Sequence, residues 1–177
     1  MDSILLGSKV SIIVPIYNGM NYIDNCIANL KAQTYSNLEF VLVDDGSDDG
    51  SSDRCDELTR ADERFKVIHK ENAGPSSARN TGIEAATGDY ICFYDVDDDI
   101  SPSLVEDNIK LATKQDADVL MFSFWYHNLD TGKRSENILG RDFVGNAKEF
   151  FDDYLILSID HEVFNAPWNK LYKRSRR

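Results

Sequence analysis

The sequence predicts an α/β fold, in which a mainly parallel, doubly wound sheet carries helices on both faces. Short runs rich in β-branched and aromatic residues alternate with segments whose apolar side chains recur at helical spacing. Polar segments directly follow three of these runs, as is typical of parallel sheets, which bind ligands beyond the carboxyl ends of their strands. The length of 177 residues suits a single domain with its own core.

Five apolar runs are predicted to be buried strands, because they are rich in Val, Ile, Phe and Tyr. They cover residues 10–14, 38–43, 65–69, 90–94 and 119–126. Helical patterns lie between several of them, so successive strands are expected to run parallel.

The first helix is predicted from an apolar stripe formed by Ile23, Cys26, Ile27 and Leu30. A second helix is predicted between residues 74 and 88. One of its faces consists of small residues that allow close packing, namely Ala78, Gly82, Ala85 and Ala86. A third is capped by Ser101 and opened by Pro102. Asn146 and Glu149 resemble the capping box of a fourth. Residues 128–145 lack a clear pattern and are interpreted as an insertion or an irregular connection.

Three polar segments are predicted to meet at one edge of the sheet. Residues 15–18 follow the first strand, residues 44–47 the second and residues 95–99 the fourth. Because parallel strands end at the same edge, we expect a single binding site there.

The last of these segments is strongly acidic, with four carboxylates from Asp95, Asp97, Asp98 and Asp99. Like charges at this density repel each other, and a hard divalent cation with oxygen ligands is a common reason for collecting them. A solvated acidic loop is the alternative. A calcium-binding EF-hand is disfavoured, because Ile100 takes the place of the required glycine and a strand-like run replaces the entering helix.

The amino-acid composition limits the kinds of molecule that this protein is expected to bind. Nineteen basic against 31 acidic residues give a net charge of −12, which argues against nucleic acid or an anionic membrane as the main partner. Cys26, Cys55 and Cys92 are widely spaced in largely apolar patterns, as expected for reduced core thiols of a cytosolic protein. No apolar run reaches the length of a membrane span.

The glycine motifs of dinucleotide and P-loop sites, GxGxxG and GxxxxGK[ST], do not occur. A nucleotide can instead be held by Tyr17 stacking on the base, by Asp44 or Asp45 accepting hydrogen bonds, and by a metal on the diphosphate. Taken singly, Tyr17 is equally typical of packing and the Asp44 segment of a plain turn.

The segments VSIIVPIYN, LVDDGSDDGS, ENAGPSSARNTGI, FYDVDDD and PWNKLYKRS occur in this order and together resemble the family 2 glycosyltransferases. The resemblance extends from about Lys9 to Arg174. It implies a GT-A fold, which is Rossmann-like, a nucleotide-diphosphate sugar as donor, Mg²⁺ or Mn²⁺ as cofactor, and inversion at the anomeric carbon.

The resemblance also assigns residues to the donor site, namely Pro15, Tyr17, Asp44, Asp45, Arg79 and Asp95. Pro15 and Tyr17 would line the base pocket, and Asp45 would read the base edge with Asp44 supporting its loop. Arg79 would approach the diphosphate. Considered alone, Arg79 would rather pair with Glu84 or Asp89 on the surface of its helix.

For the metal, the resemblance favours Asp97, with Asp95 near the ribose or the metal. Asp98 would support these ligands, and Asp99 would be solvated. On the acceptor side the implied residues are Trp168, Asn169 and Lys170. Core packing is the alternative for Trp168.

Inverting transfer requires a general base, which this family usually supplies from an acidic motif beyond the segment that is here residues 167–172. No such motif occurs before Arg177, and Asp160 and Glu162 precede the segment. We therefore expect residues 1–8 to be an N-terminal extension and residues 9–177 to be a GT-A domain that stops before the base.

The predicted function is metal-dependent transfer of a sugar, from a UDP-sugar by preference, to a carbohydrate or lipid-linked acceptor in polysaccharide or glycolipid synthesis. The expected location is cytoplasmic, with peripheral contact to the inner face of the cell membrane through a further C-terminal segment. A non-catalytic nucleotide-sugar binding module and a sugar-phosphate nucleotidyltransferase are the alternatives. The second is disfavoured, because residues 15–19 do not form a glycine-rich basic loop.

Overall fold

A computed structural model describes residues 7–127, 131–137, 143–146, 148–150 and 166–174. The chain order of its helices and strands is β1 (Val10–Ile16), α1 (Ile23–Lys31), β2 (Leu38–Asp44), α2 (Ser51–Thr59), β3 (Phe65–His69), α3 (Pro75–Ala85), β4 (Tyr90–Phe93), α4 (Leu104–Gln115), β5 (Val119–Met121), β6 (Phe124–His127), β7 (Arg134–Asn137) and β8 (Lys170–Lys173). The predicted α/β class is confirmed.

The main sheet has six strands in the order β3-β2-β1-β4-β8-β5. The first four are mutually parallel, and β8 runs antiparallel between β4 and β5. A separate antiparallel pair is formed by β6 and β7.

Two apolar layers cover the sheet, as the doubly wound prediction requires. On one face α1 and α4 pack on alternate residues of β1, with Ile12 and Val14 fully buried. On the other face α3 packs against Ile13. Gly82 of α3 allows this close contact, because a Cβ there would lie 2.3 Å from Cγ2 of Ile13. The predicted small face of this helix is therefore confirmed.

The predicted strand over residues 119–126 is wrong as a single element. It divides into β5 and β6, because β5 pairs with β8 whereas β6 pairs with β7. The backbone N–H of Phe122, in the gap, donates to the carbonyl of Asn169 at 3.0 Å. Part of the segment that lacks a clear pattern forms β7.

The third predicted helix begins later than expected. Its first residue is Leu104 rather than Pro102, and Ser103 occupies the N-cap position. Pro102 instead contributes its carbonyl to a hydrogen bond from the Thr34 backbone N–H, 2.8 Å away, which ties it to the loop after α1.

Besides β7, two elements were not predicted, α2 and β8. The helix α2 has few apolar residues, with Cys55 and Leu58 its only aliphatic or thiol side chains in the core layer. The strand β8 forms from the PWNKLY segment.

The prediction that the three cysteines lie in the core is confirmed, and so is the capping box. Cys26, Cys55 and Cys92 are buried free thiols, and burial raises the pKa of each to about 12. The Asn146 backbone N–H donates to Glu149 at 3.1 Å, and the Glu149 N–H donates to Oδ1 of Asn146 at 3.0 Å. The later residues of that predicted helix lie outside the described residues.

Candidate donor-binding cleft

A cleft of about 440 Å³ opens at the carboxyl ends of β1, β2 and β4, beside the start of α3. Its lining includes Pro15, Tyr17, Asp45, Arg79, Asp95 and Asp97. The structure thus brings together residues that are up to 82 positions apart in the chain (Asp97 minus Pro15). Asp44 belongs to the same edge but does not line the cleft.

Asp45 is buried at the wall of the cleft, with 2% of its surface exposed. Its carboxylate accepts hydrogen bonds from Nζ of Lys70 at 2.5 Å and from the backbone N–H groups of Ala73 and Gly74 at 3.1 and 2.7 Å. Burial alone would raise the pKa of Asp45, but these hydrogen bonds outweigh it and lower the pKa below its ordinary value. Asp45 is therefore an ionised acceptor at neutral pH.

Gly74 is suited to this contact by its backbone. Its φ of 88° and ψ of 166° lie in a region that is open almost only to glycine, and they aim its N–H at Asp45. Asn72 and Gly74 line the cleft beside Asp45. The sequence offered one signal for this loop, the Gly74-Pro75 pair before α3.

Asp44 holds the turn that carries Asp45. Its Oδ1 accepts the backbone N–H of Ser47 at 3.1 Å, and its Oδ2 lies 3.1 Å from Nδ1 of His69. Nε2 of His69 lies 3.2 Å from Oδ1 of Asp56 in α2. The hydrogen bond with Asp44, followed by that with Asp56, raises the pKa of His69 despite partial burial. Sequence reasoning missed this histidine, because its partners come from two other elements.

Arg79 does not pair with Glu84 or Asp89, the partners expected from helical spacing. Its Nη2 donates to Oδ1 of Asp95 at 2.8 Å, across the floor of the cleft. Its Nε is buried and, within the described part of the chain, has no hydrogen-bond partner. A buried donor without a partner is costly in a native protein, so the hydrogen bonding of Arg79 is incomplete among the described residues.

Two hydrogen bonds among residues 94–98 fix the conformation of the acidic loop after β4. The Tyr94 hydroxyl donates to the Asp98 carbonyl, and the Asp98 N–H donates to the Asp95 carbonyl at 3.1 Å. This turn leaves Asp97 exposed at the cleft. Burial, followed by the charges of the other three aspartates, raises the pKa of Asp98 to about 6. The loop therefore concentrates more negative charge than its own contacts compensate.

Asp99 departs from the expectation of a purely solvated side chain. Although exposed, it accepts hydrogen bonds from the side-chain amides of Asn25 and Asn29 in α1, at 2.8 and 3.1 Å. Within the described residues, no group of three or more His, Cys, Asp or Glu side chains is already arranged as a metal site.

The PWNKLY segment lies apart from the cleft lining. Trp168 is half-buried and packs edge-on against Phe124, with ring centroids 4.5 Å apart. Asn169 is fully buried and donates to the Phe122 carbonyl at 3.4 Å, while Lys170 donates to Oδ1 of Asn169 at 2.8 Å. Burial lowers the pKa of Lys170. These contacts stabilise the start of β8.

Comparison with known proteins explains the convergence of these motifs. The profile of the family described as Glycosyl transferase family 2 matches residues 11–175. The chain belongs to this family. It therefore has the family's GT-A fold, and the nucleotidyltransferase alternative is disfavoured.

Among the relatives, EpsH of Bacillus subtilis (strain 168) is 39% identical over 166 residues, which are 94% of this chain and 47% of EpsH. The crystal structure of S. aureus TarS 1-349 in complex with UDP superposes with a TM-score of 0.69 and 25% identity, over 93% of this chain and 46% of TarS. The Pyrobaculum calidifontis mannosyltransferase PcManGT, in complex with GDP-Man and Mn²⁺, has a TM-score of 0.65 at 18% identity, over 94% of this chain and 45% of that protein. This chain spans about half the length of each.

Proposed function

We propose that this chain is the donor-binding part of an inverting, metal-dependent glycosyltransferase that uses a nucleotide-diphosphate sugar. The observation that carries the proposal is the cleft itself, which is lined by an ionised buried carboxylate, an exposed aspartate and an arginine with one donor that lacks a partner among the described residues. Family membership supports sugar transfer as the reaction.

The base would lie between Tyr17 and Asp45. Tyr17 is 55% exposed, so its ring has a free face for stacking. Asp45 would accept a hydrogen bond from the base edge, with Asp44 supporting its turn and Pro15 forming the adjoining wall. UDP is the favoured nucleotide, since TarS, which is bound to UDP, matches nearly the whole of this chain.

The diphosphate would lie at Arg79 and the acidic loop. Its oxygens would accept hydrogen bonds from the guanidinium of Arg79, whose Nε has no partner among the described residues. They would also bring negative charge that needs a cation beside Asp95 and Asp97. Carboxylate oxygens suit Mg²⁺ or Mn²⁺, and among the described residues Arg79 binds Oδ1 of Asp95 and leaves Oδ2 to the metal. When bound, the metal would offset the charge that develops on the departing nucleoside diphosphate.

The acceptor hydroxyl and the general base would come from outside the cleft. A carbohydrate or lipid-linked hydroxyl would attack with inversion, on the side of the sheet where Trp168, Asn169 and Lys170 are found. Asp160 and Glu162 lie outside the described residues. Because this chain spans about half of its relatives, we assign the general base to a segment beyond these residues. Without that base, this chain would bind the nucleotide-sugar donor but would not transfer the sugar.

A cytoplasmic location fits the three free thiols, which persist in a reducing compartment. In the described part of the chain, no helix has the length and apolar character to traverse a bilayer. Contact with the inner face of the membrane is assigned to the further segment.

Calorimetric titration of UDP into this chain, with Mn²⁺, with Mg²⁺ and with EDTA, tests the donor site. We expect binding that requires metal and that is lost in Asp97→Ala. The matched control is Asp118→Ala, which removes a carboxylate that is also exposed but lies outside the cleft, and it should leave binding unchanged. Absence of binding by UDP, GDP and TDP under all three conditions would refute the proposal.

A further inference from the structure

Lys70 is a charged residue that sequence reasoning did not assign, and it contacts Asp45 in the lining of the cleft. It follows the last residue of β3, and its backbone N–H donates to the Asp44 carbonyl at 3.0 Å. Its Nζ donates to Oδ1 of Asp45 at 2.5 Å and to the Glu71 carbonyl at 2.6 Å. The side chain is thus fixed at both ends and lies behind the wall of the cleft.

Lys70 compensates a charge that the fold buries. The Asp45 side chain is 3% exposed, and the Lys70 side chain is 20% exposed. A buried carboxylate is tolerated only when cations and hydrogen-bond donors replace its lost hydration. The backbone N–H groups of Ala73 and Gly74 provide dipoles, whereas Lys70 provides the full positive charge.

The donors divide unevenly between the two oxygens of Asp45. Oδ1 receives Lys70 and the closer contact of Ala73, while Oδ2 receives Gly74 at 2.7 Å and a longer contact from Ala73 at 3.3 Å. Oδ2 thus has one close donor, and its second contact is long and comes from an N–H that it shares with Oδ1, so Oδ2 retains more acceptor capacity than Oδ1. Lys70 therefore binds Oδ1 and leaves Oδ2 as the oxygen for a ligand.

We propose that Lys70 is a positioning residue for base recognition, which holds Asp45 ionised and oriented so that the cleft selects bases with an N–H donor opposite it. Uracil carries such an N–H at its N3 atom, whereas the corresponding nitrogen of cytosine is an acceptor. An acceptor facing the carboxylate leaves both groups unpaired. The inference rests on the proposed donor-binding function and adds to it a residue and a physical basis for its base preference.

The test is calorimetric titration of UDP and CDP, each with Mn²⁺, into the wild-type chain and into K70M, K70R and K66M. Wild type is expected to bind UDP at least about tenfold more tightly than CDP, the effect of one hydrogen bond to a charged group. K70M should lose affinity for UDP but not for CDP, so that the ratio approaches one. K70R keeps the charge and should restore most of the ratio.

K66M is the matched control, because it removes the same positive charge as K70M but from an exposed position of β3. K66M should keep the wild-type ratio. If K70M does not fold, as judged by circular dichroism, K70Q takes its place, since it retains a hydrogen-bond donor without the charge.

An unchanged ratio in K70M or K70Q would overturn the inference, and so would an equal loss of UDP and CDP affinity, which would indicate a purely structural role. Both results leave the donor-binding proposal intact. Failure of wild type to bind either UDP or CDP would overturn this inference, and the donor-binding proposal would fall with it only if GDP and TDP also failed to bind.

Discussion

At the amino ends of β1 and β2 the carboxylate of Glu39 is surrounded by donors, whereas at the carboxyl ends Asp97 stands exposed at the cleft. Glu39 accepts hydrogen bonds from Lys9 at 2.6 Å, from Ser11 at 2.5 Å, from the Thr87 hydroxyl at 2.6 Å and from the Gly88 N–H at 3.1 Å. Its side chain is 14% exposed. A group satisfied in this way has no capacity left for a ligand.

The comparison shows how one residue type serves two purposes in one sheet. Where the chain supplies every partner, a buried carboxylate fixes loops to strands. Where partners are missing or uneven, as at Asp97 and Asp45, the same chemistry remains available to a ligand. Substitutions at the two edges should therefore separate stability from binding.

The largest loss of stability is expected for Glu39→Ala. It leaves Lys9 and several buried donors without their acceptor, which should lower the free energy of unfolding by about 3 kcal/mol. Urea denaturation measures the change, and the folded variant should bind UDP like wild type. Glu63→Ala, at an exposed position of the same edge, should change stability by less than about 0.5 kcal/mol.

Glu39 should also confer acid sensitivity. Burial would raise its pKa, but hydrogen bonds from Lys9, Ser11 and Thr87 lower it from 4.5 to about 2. Its contribution is therefore complete above pH 4.5 and is lost as the pH falls toward 2. Melting temperatures measured across this window should converge for wild type and Glu39→Gln, and a constant difference would contradict the assignment.

Asp45→Asn should have an intermediate effect on stability, about 2 kcal/mol. The new amide would oppose the N–H groups of Ala73 and Gly74, and the charge on Lys70 would lose its partner. UDP affinity should fall as well, which distinguishes this edge from Glu39. Thermal unfolding and calorimetry on the same sample measure both effects, and stability loss with full affinity would contradict the comparison.

A smaller, pH-dependent effect is expected for His69→Gln, on the order of 0.5 kcal/mol because the imidazole is partly exposed. The folded pKa of His69 is raised above 6.5 by Asp44 and then Asp56. Its contribution is therefore fully present below pH 6.5 and is lost as the pH rises through the folded pKa. Wild type should exceed the variant in melting temperature at pH 6, and the two should agree at pH 9.

Asp97→Asn should leave stability nearly unchanged, since the side chain is exposed and the loss of one like charge relieves its neighbours. Metal-dependent UDP binding should nevertheless be lost. Measuring both the stability and the UDP binding of this variant therefore tests the difference between the two edges of the sheet most directly. A loss of stability matching that of Glu39→Ala would show that the two edges do not differ.

Local pattern was enough to predict the parallel strands and the helix faces. It also predicted that residues 15–18, 44–47 and 95–99 meet, because parallel strands place their carboxyl ends together. The sequence did not reveal α2, whose packing depends on few apolar side chains, or β8, which pairs with strands distant in the chain.

The side-chain partners of the charged residues in the cleft could not be predicted from the sequence either. Helical spacing suggested Glu84 or Asp89 for Arg79, but the partner is Asp95 at the end of the next strand. Lys70 and Asp45 are 25 positions apart, and no local periodicity connects them. Their pairing follows from the fold, and the family resemblance did not assign Lys70.

The antiparallel strand β8 lies between β4 and β5, although it is made from the last described residues. During synthesis the first four strands can assemble once residue 93 has left the ribosome, but the flank of β4 stays unpaired until Lys170–Lys173 emerge. Over that interval the open flank is a template for pairing with other nascent chains. The order of the strands therefore makes the synthesis of residues 94–173 the interval in which the nascent chain is most exposed to mispairing.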